Sequence, residues 1–167
     1  MEIMVMKQSL LNTLNEQVNR EFYSAYLYRS AASFMASENF PGISDWMMAQ
    51  SEEETEHAEK IVKFIEDRGS RVSFLAIDAP EADFNSPLDA FETSFKHEKF
   101  ITGEINKLFA QSVKEKDYAA QVLLQWFVEE QVEEEAAVGL LVEKFRRAGD
   151  NSAALLMLDS EVGTRKN

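Results

Sequence analysis

The stretch QSEEETEHAEKIVKF, residues 50–64, decides the fold because it places acidic residues where a helix should be most apolar. Apolar residues recur at helical spacing from Ile43 to Phe64 and predict an amphipathic helix. Glu54 and His57 interrupt the middle of this apolar stripe, at an i, i+3 spacing that brings both side chains onto one helix face. Side chains of this kind are rarely buried without a partner or a metal ion. The stretch therefore predicts a helix that carries polar ligands into a core.

The same interruption occurs in three other segments, and the spacings form a two-part repeat. Glu21 lies 33 residues before Glu54, and Glu98 lies 33 residues before Gln131. Gln131 begins a Q-x-x-E unit that ends at Glu134 and matches the earlier E-x-x-H unit. Each polar interruption falls near the middle of an apolar stripe. Four helices are therefore expected to bring polar side chains to one shared level.

Hydrophobic periodicity predicts four long helices followed by a short fifth helix. The predicted bounds are roughly 8–37, 42–69, 87–116, 117–147 and 151–160. Residues that favour helix starts, stops and turns stand at these bounds: Pro41-Gly42, Gly69, Ser86-Pro87, Asp117 and Gly149.

The lengths of the connections predict the topology. Short connections make the first and second helices an antiparallel hairpin, and likewise the third and fourth. Residues 70–86 can extend ~55 Å, which exceeds the ~42 Å length of a helix of about 28 residues. This crossover makes the second and third helices parallel, and its apolar residues are expected to lie against a surface: Val72, Phe74, Leu75 and Ile77. The predicted fold is all-α, a four-helix bundle over about 8–147 plus the short C-terminal helix, in one domain spanning 1–167.

Composition excludes several classes of function. The chain has 167 residues, 45% of them hydrophobic, and no cysteine, which excludes disulfides, thiolate metal sites and cysteine nucleophiles. Its net charge of −13 argues against nucleic acid as a partner and suits a protein that collects cations. Charges interrupt every apolar segment, and the start MEIMVMKQSLL lacks the features of a signal peptide. We therefore expect a soluble cytoplasmic protein with no membrane partner.

The interrupting residues predict a dimetal site. Several carboxylates and one imidazole at a single buried level need compensating positive charge. No lysine or arginine interrupts the stripes at that level, so a pair of divalent or trivalent cations is the simplest source. Hard oxygen ligands with one imidazole suit iron or manganese better than copper.

Other polar residues accompany this set. Tyr28 lies two turns after Glu21 on the same stripe, so its phenol is expected to point toward the site. A structural role and a redox or ligand-tuning role both remain open for it. Glu53, Glu130 and Glu133 neighbour the inner ligands and could form an adjacent cation site, although a solvated helix face also explains each of them.

Three further features lie outside the predicted site. His97 is expected at the surface, and Trp126 is expected in the core or between helices. The segment SAALLML, residues 152–158, is too apolar for a free tail. It is expected to pack in an assembly contact or to fold onto its own bundle.

Over essentially its whole length the chain resembles the bacterial non-haem ferritins, whose relatives include dimetal carboxylate bundles. The matching stretches are NEQVNREFYSAYLY (15–28), EEETEHAEKI (52–61), KHEKFITGEINKL (96–108) and LQWFVEEQVEEE (124–135). This resemblance implies ferroxidase oxidation of Fe(II) by oxygen or peroxide. It also implies storage of ferric mineral in a homo-oligomeric cage of twenty-four subunits, with the C-terminal helix near the fourfold axes.

The resemblance also implies ligand sets. The first iron would take Glu21, Glu54 and His57. The second would take Glu54 as a bridge, together with Glu98, Glu134 and the nearby Gln131. A third, transit-type iron site would use Glu53, Glu130 and Glu133, and Tyr28 matches the family's tyrosine beside the diiron centre.

The departures from related families are informative. Bacterioferritins usually have a second E-x-x-H in the fourth helix, where this chain has Gln131 and Glu134, so the second iron is expected to bind more weakly. Thr55 replaces the haem-binding methionine of bacterioferritins, so no haem is expected. A chain without cysteine cannot carry the extra iron domain of rubrerythrins. The alternatives are a diiron oxidase or peroxidase that stores no mineral, and a structural bundle without metal.

Overall fold

Five α-helices and no strand make up the part of the chain that the structure, a computed structural model, describes: residues 6–164. Their bounds are α1 Gln8–Ser37, α2 Pro41–Asp67, α3 Pro87–Glu115, α4 Tyr118–Ala148 and α5 Ser152–Val162. The predicted all-α class and five helices are confirmed, with ends that differ by at most two residues. The ends of the predicted domain, 1–5 and 165–167, lie outside the described residues.

The turn between α1 and α2 lies where it was predicted, and α2 begins one residue earlier than expected. Pro41 is the first residue of α2, where its missing N–H costs no helix hydrogen bond. The chain reverses just before it, through Asn39 in the left-handed region at φ 63°. Gly42 has a separate role, because a Cβ there would lie 1.9 Å from the backbone oxygen of Asp159 in α5.

The remaining boundary signals act as predicted. The side chains of Ser86 and Asp117 accept hydrogen bonds from backbone N–H groups three residues later, at 3.1 and 3.0 Å. These bonds cap the first turns of α3 and α4. Gly69 and Gly149 follow α2 and α4 with φ of 71° and 54°, a conformation that glycine adopts without steric cost.

The crossover follows α1 over much of its length. Near one end, the Asn15 side chain accepts a hydrogen bond from the backbone N–H of Ser73 at 3.0 Å. Toward the other end, the Ser30 hydroxyl donates to the backbone oxygen of Glu81 at 2.6 Å. The crossover thus advances in the direction of α1 and returns the chain to the end where α2 began. α2 and α3 therefore run parallel, as predicted.

The apolar residues of the crossover are more exposed than expected. Val72 is buried, whereas Phe74, Leu75 and Ile77 are 68%, 49% and 43% exposed. The prediction that this segment lies against a surface is confirmed, because it runs along α1 and the rings of Phe74 and Phe22 have centroids 6.3 Å apart. Hydrogen bonds to α1 hold the backbone of the crossover, but they leave these three side chains largely uncovered.

Two apolar clusters form the core, and a polar level separates them along every long helix. One cluster includes Met35, Ile43, Phe91 and Phe145. The other includes Leu14, Ile61, Ile105 and Leu124. On each helix the predicted site residues fall between members of the two clusters. The packing therefore fixes the height at which the four helices present their polar side chains.

α5 packs across the end of the bundle. Asp159 is buried and accepts a hydrogen bond from the backbone N–H of Ile43 at 2.8 Å, which satisfies a donor in the first turn of α2. Leu155 packs against the apolar cluster, whereas Leu156 and Met157 are 60% and 74% exposed. The segment 152–158 thus folds onto its own bundle along one face and leaves an apolar face open. None of the described helices is both long and apolar enough to span a membrane.

Candidate metal centre

The predicted inner residues meet at the polar level between the two apolar clusters. All six are buried, with at most 6% of each residue exposed: Glu21, Glu54, His57, Glu98, Gln131 and Glu134. Each helix brings its residues inward because they occupy the same stripe as its core leucines, isoleucines and phenylalanines.

Ligand atoms converge in two overlapping groups at this level. Glu21, Glu54 and His57 form one group, and Glu54, Glu98 and Glu134 form the other. Within each group the ligand atoms lie within 4.8 Å of one another. Glu54 belongs to both groups, so its carboxylate can bridge two ions.

The group from α1 and α2 has unpaired buried ligand atoms. Glu21 Oε2, Glu54 Oε1 and His57 Nδ1 have no hydrogen-bond partner among the described residues. The other oxygen of Glu21 accepts a hydrogen bond from Gln17 at 2.7 Å. His57 Nδ1 lies 3.4 Å from Glu54 Oε2 without forming a hydrogen bond. Unpaired buried polar atoms are costly, and a shared proton or a cation would satisfy them.

The carboxylates from α3 and α4 are paired instead. Tyr28 donates a hydrogen bond to Glu98 Oε1 at 2.6 Å, and Gln131 donates to Glu98 Oε2 at 3.2 Å. Gln50 donates to Glu134 Oε2 at 2.5 Å. The expectation that the Tyr28 phenol points toward the site is confirmed. The amide nitrogen of Gln131 faces Glu98, so this residue binds a carboxylate in the present arrangement.

Burial makes the carboxylates at this level hard to ionise. It raises the pKa of Glu21 to about 7 and that of Glu134 to about 8, and the charge of Glu98 adds to both increases. The pKa of Glu54 is raised well above its usual range, by burial first and then by the charges of Glu98 and Glu21. Burial also raises the pKa of Glu98. Ionising several of these carboxyls in the same desolvated space is therefore costly, and a bound cation would offset that cost.

His57 is available as a neutral ligand. Burial is the largest cause that lowers its pKa to about 4, and the charge of Lys60 adds to the effect. At neutral pH the ring therefore keeps a free lone pair, as metal binding requires. Trp126 is half-buried and packs edge-on against this ring with centroids 5.4 Å apart, so its expected packing role brings it directly against the site.

The three predicted outer residues are placed unequally. Glu130 is half-buried and forms a third possible ligand group with His57 and Glu134. Its Oε1 lies 3.8 Å from His57 Nε2. Burial raises the pKa of Glu130, and the charges of Glu133 and Glu53 contribute further. Glu53 is half-buried and Glu133 is exposed, and neither belongs to a ligand group in the described part of the chain.

Sequence reasoning gave no role to two glutamines of the site. Gln17 and Gln50 are buried and orient Glu21 and Glu134 through hydrogen bonds. Their positions offered a signal, since each lies four residues before a predicted ligand on the same helix face.

The expectation that His97 lies at the surface was wrong. Its ring is half-buried between α1 and α3, with Nε2 2.7 Å from the Ser24 hydroxyl and the ring against Tyr23. Burial lowers the pKa of His97 to about 4. Contacts between different helices cause this burial, and the periodicity of α3 alone gives no sign of them.

Comparisons with known proteins agree with this architecture. The family model of the ferritin-like domain matches residues 11–148. Bacterial non-heme ferritins of Staphylococcus aureus and Staphylococcus saprophyticus are each 37% identical to the chain over 161 residues. These matches cover 96% of the chain, and 97% and 96% of the two ferritins, respectively.

Solved structures show the same similarity. An open pore ferritin from the archaeon Archaeoglobus fulgidus is 43% identical, with a TM-score of 0.95 over 96% of this chain and 99% of its own. An engineered closed form of that ferritin is 44% identical, with a TM-score of 0.94 over 96% and 98%. Family, sequence and fold agree, and the chain belongs to the ferritin-like domain family.

Proposed function

We propose that this protein stores and detoxifies iron, by oxidising Fe(II) at the intrachain dimetal site and depositing ferric mineral inside a hollow cage. The observation that carries the proposal is the pair of ligand groups joined by Glu54, with unpaired buried ligand atoms in one of them. Membership of the ferritin-like family supports the same function. In this proposal iron is the substrate and the stored cargo.

The proposed ligands divide between two ions. The first Fe(II) binds Glu21, Glu54 and His57, and the second binds Glu54, Glu98 and Glu134. Hard carboxylates stabilise Fe(III) relative to Fe(II), which favours oxidation. Because both ions share one carboxylate, they lie close enough to react with a single oxidant.

The oxidant takes up the electrons together with protons. Two Fe(II) ions lose one electron each. Dioxygen takes the two electrons and two protons to become hydrogen peroxide, or hydrogen peroxide takes the two electrons and two protons to become two waters. Ion binding also releases protons, because Glu21 and Glu134, with pKa values raised to about 7 and 8, must ionise to act as ligands.

The second half of the site favours transit over permanent binding. Gln131 is neutral, and Glu98 and Glu134 already accept hydrogen bonds from the protein. Fe(III) is therefore proposed to leave through a third site that includes Glu130, with Glu53 and Glu133 as its more exposed members.

A closed shell is needed to hold a mineral. The exposed apolar face of α5, with Leu156 and Met157, and the exposed Phe74 of the crossover are suitable for contacts between subunits. We propose a homo-oligomer of twenty-four subunits, each a single domain spanning 1–167, that acts in the cytoplasm and binds no haem.

Aerobic iron loading tests the proposal. The purified protein would receive excess Fe(II) and pass through size-exclusion chromatography, and iron would be counted per assembly. Storage predicts a large assembly that retains hundreds of ions, whereas the Glu54→Ala variant should retain far fewer. A few irons per subunit would instead favour a diiron oxidase or peroxidase, and a monomer-sized peak would contradict the cage.

A further inference from the structure

One basic side chain stands beside a strongly acidic helix face. In α2, residues 41–59 contain no lysine or arginine, and Lys60 is the first basic residue. In α4, residues 118–143 contain none. Carboxylates are frequent in both segments and include those of Glu53 in α2 and of Glu130 and Glu133 in α4. The position of Lys60 therefore matters for any cation that approaches the site from this side.

Trp126 holds Lys60 at a defined place. The ammonium Nζ lies 4.2 Å above the centre of the Trp126 ring, within the range of a cation–π interaction. The same ring packs edge-on against His57 at 5.4 Å. One aromatic ring thus connects the lysine to a proposed iron ligand, and its contact with the ammonium keeps the positive charge near the outer rim of the site.

Lys60 lies close to two members of the outer ligand group. It follows His57 by three residues on α2, so the two side chains share one helix face. Glu130 Oε1 lies 3.8 Å from His57 Nε2, and both residues share the outer ligand group with Glu134. In agreement with this placement, the charge of Lys60 adds to burial, the larger cause, in lowering the pKa of His57. The ammonium therefore reduces the negative potential where a passing cation would bind.

We propose that Lys60 is a tethered counter-cation that weakens cation binding at Glu130, the member of the outer group that is a ligand of neither inner ion. As a consequence, oxidised iron that leaves the inner site binds only weakly at the outer site and dissociates instead of remaining bound there. This inference rests on the proposed function. Lys60 acts through charge and not as a ligand, so its role is to set an affinity.

Zinc titration of the metal-free protein measures that affinity without oxidation chemistry. Calorimetry would give the number of Zn(II) ions per subunit and the affinity of each class. Adding Trp46→Phe to every variant leaves Trp126 as the chain's only indole, so its fluorescence reports ions that bind near His57. Three variants are compared in this background: Lys60→Met, Lys60→Arg and Lys63→Met.

Lys63→Met is the matched control. It removes the same charge from the same helix, but Lys63 pairs with Asp67 at 2.8 Å and is fully exposed. Lys60→Met should strengthen the weakest Zn(II) class about fivefold at low salt, since exposed charge pairs have modest energies and a divalent ion doubles them. Lys60→Arg and Lys63→Met should match the parent. The difference should vanish in about 1 M salt, where the Debye length is ~3 Å.

Several results would overturn the inference. Equal affinities in Lys60→Met and Lys63→Met would do so, as would a difference that persists at high salt and thus reflects packing. A parent protein that binds only two inner ions would also overturn it, while leaving the proposed oxidation site intact. A parent that binds no Zn(II) at all would instead count against the proposed function itself.

Discussion

The two halves of the candidate site differ in how many of their ligand atoms already form hydrogen bonds with the protein. The half from α1 and α2, with Glu21, Glu54 and His57, contains three buried ligand atoms without a partner among the described residues. In the half from α3 and α4, Glu98 and Glu134 accept hydrogen bonds from protein donors. The first half is therefore open to a cation, whereas the second is partly closed by the protein's own side chains.

This difference predicts an order of binding. A hydrogen bond to a charged group contributes about 1.5–3 kcal/mol, so an ion that displaces even one such bond loses roughly a factor of ten or more in affinity. The first ion displaces no donor from the unpaired atoms, but the second competes with Tyr28, Gln131 and Gln50. We expect one tight and one weaker inner ion in each subunit.

The largest expected effect comes from the residue that both halves share. Glu54→Ala should slow the initial oxidation of Fe(II) by more than about 100-fold, because it removes a ligand of both ions. Stopped-flow absorbance of Fe(III) measures the rate. Glu56→Ala is the control, since Glu56 is exposed on the same helix. Oxidation at the wild-type rate in Glu54→Ala would show that the site is assigned wrongly.

A matched pair of substitutions separates the halves. Glu21→Gln should weaken the tight Zn(II) class about 30-fold, whereas Glu134→Gln should leave that class nearly unchanged and weaken the second. Both changes keep the side-chain size and remove one charge. Stepwise calorimetry with the metal-free protein distinguishes them. If both variants weaken the same class equally, the halves are not distinct binding sites.

Gln131→Glu tests the difference between the two halves of the site, because it adds a carboxylate to the half that has a neutral glutamine. The second ion should bind about tenfold more tightly, because an added anionic ligand strengthens its half of the site. The metal-free variant should unfold at a lower temperature, because it buries one more carboxylate. Zinc titration and thermal unfolding give the two quantities. Unchanged affinity for the second ion would mean that residue 131 does not limit binding.

The smallest predicted effect is a pH dependence of the metal-free protein. The folded pKa values of Glu21 and Glu134, about 7 and 8, exceed the usual value of 4.5. Stability from these groups is complete below pH 4.5 and is lost as pH rises through 7 and 8. The melting temperature should therefore fall by about 5 °C between pH 6.5 and 9.

The chosen pH range avoids the histidines. His57 and His97 have pKa values lowered to about 4, so their opposite effect is confined to pH below 6.5. Calorimetric unfolding would be compared with and without saturating Zn(II), which should abolish the fall. Glu134→Gln should show a shallower fall than the wild type. A melting temperature that rises over this range without metal would contradict the burial argument.

Much of the fold was predictable because its signals are local. Ser86 and Asp117 cap helices through bonds that span three residues, and periodicity placed Glu54 and Glu98 on inward stripes. Pro41 marks the predicted boundary and begins α2, because proline is favoured at the first position of a helix. Local sequence patterns thus predicted the helices and the height along the bundle at which the site lies.

The unpredicted features depend on contacts between helices. The hydrogen bond from Gln50 on α2 to Glu134 on α4 joins residues 84 positions apart, and no residue spacing within one helix predicts it. The burial of His97 depends on Ser24 and on α1 in the same way. Exposure of Phe74 was also missed, because an apolar residue in a connection does not show which surface covers it.

The long crossover has a consequence for folding. It makes each helical hairpin a local unit that can form early, whereas docking of the two hairpins is a non-local and slower step. Docking brings Glu54 of one hairpin against Glu98 and Glu134 of the other, so at neutral pH carboxylates that are charged in the separate hairpins must bind protons as they are buried, and this opposes the last step. A cation held by both hairpins removes that opposition. The same carboxylates that we propose as iron ligands would therefore make a bound metal ion a link between the two hairpins.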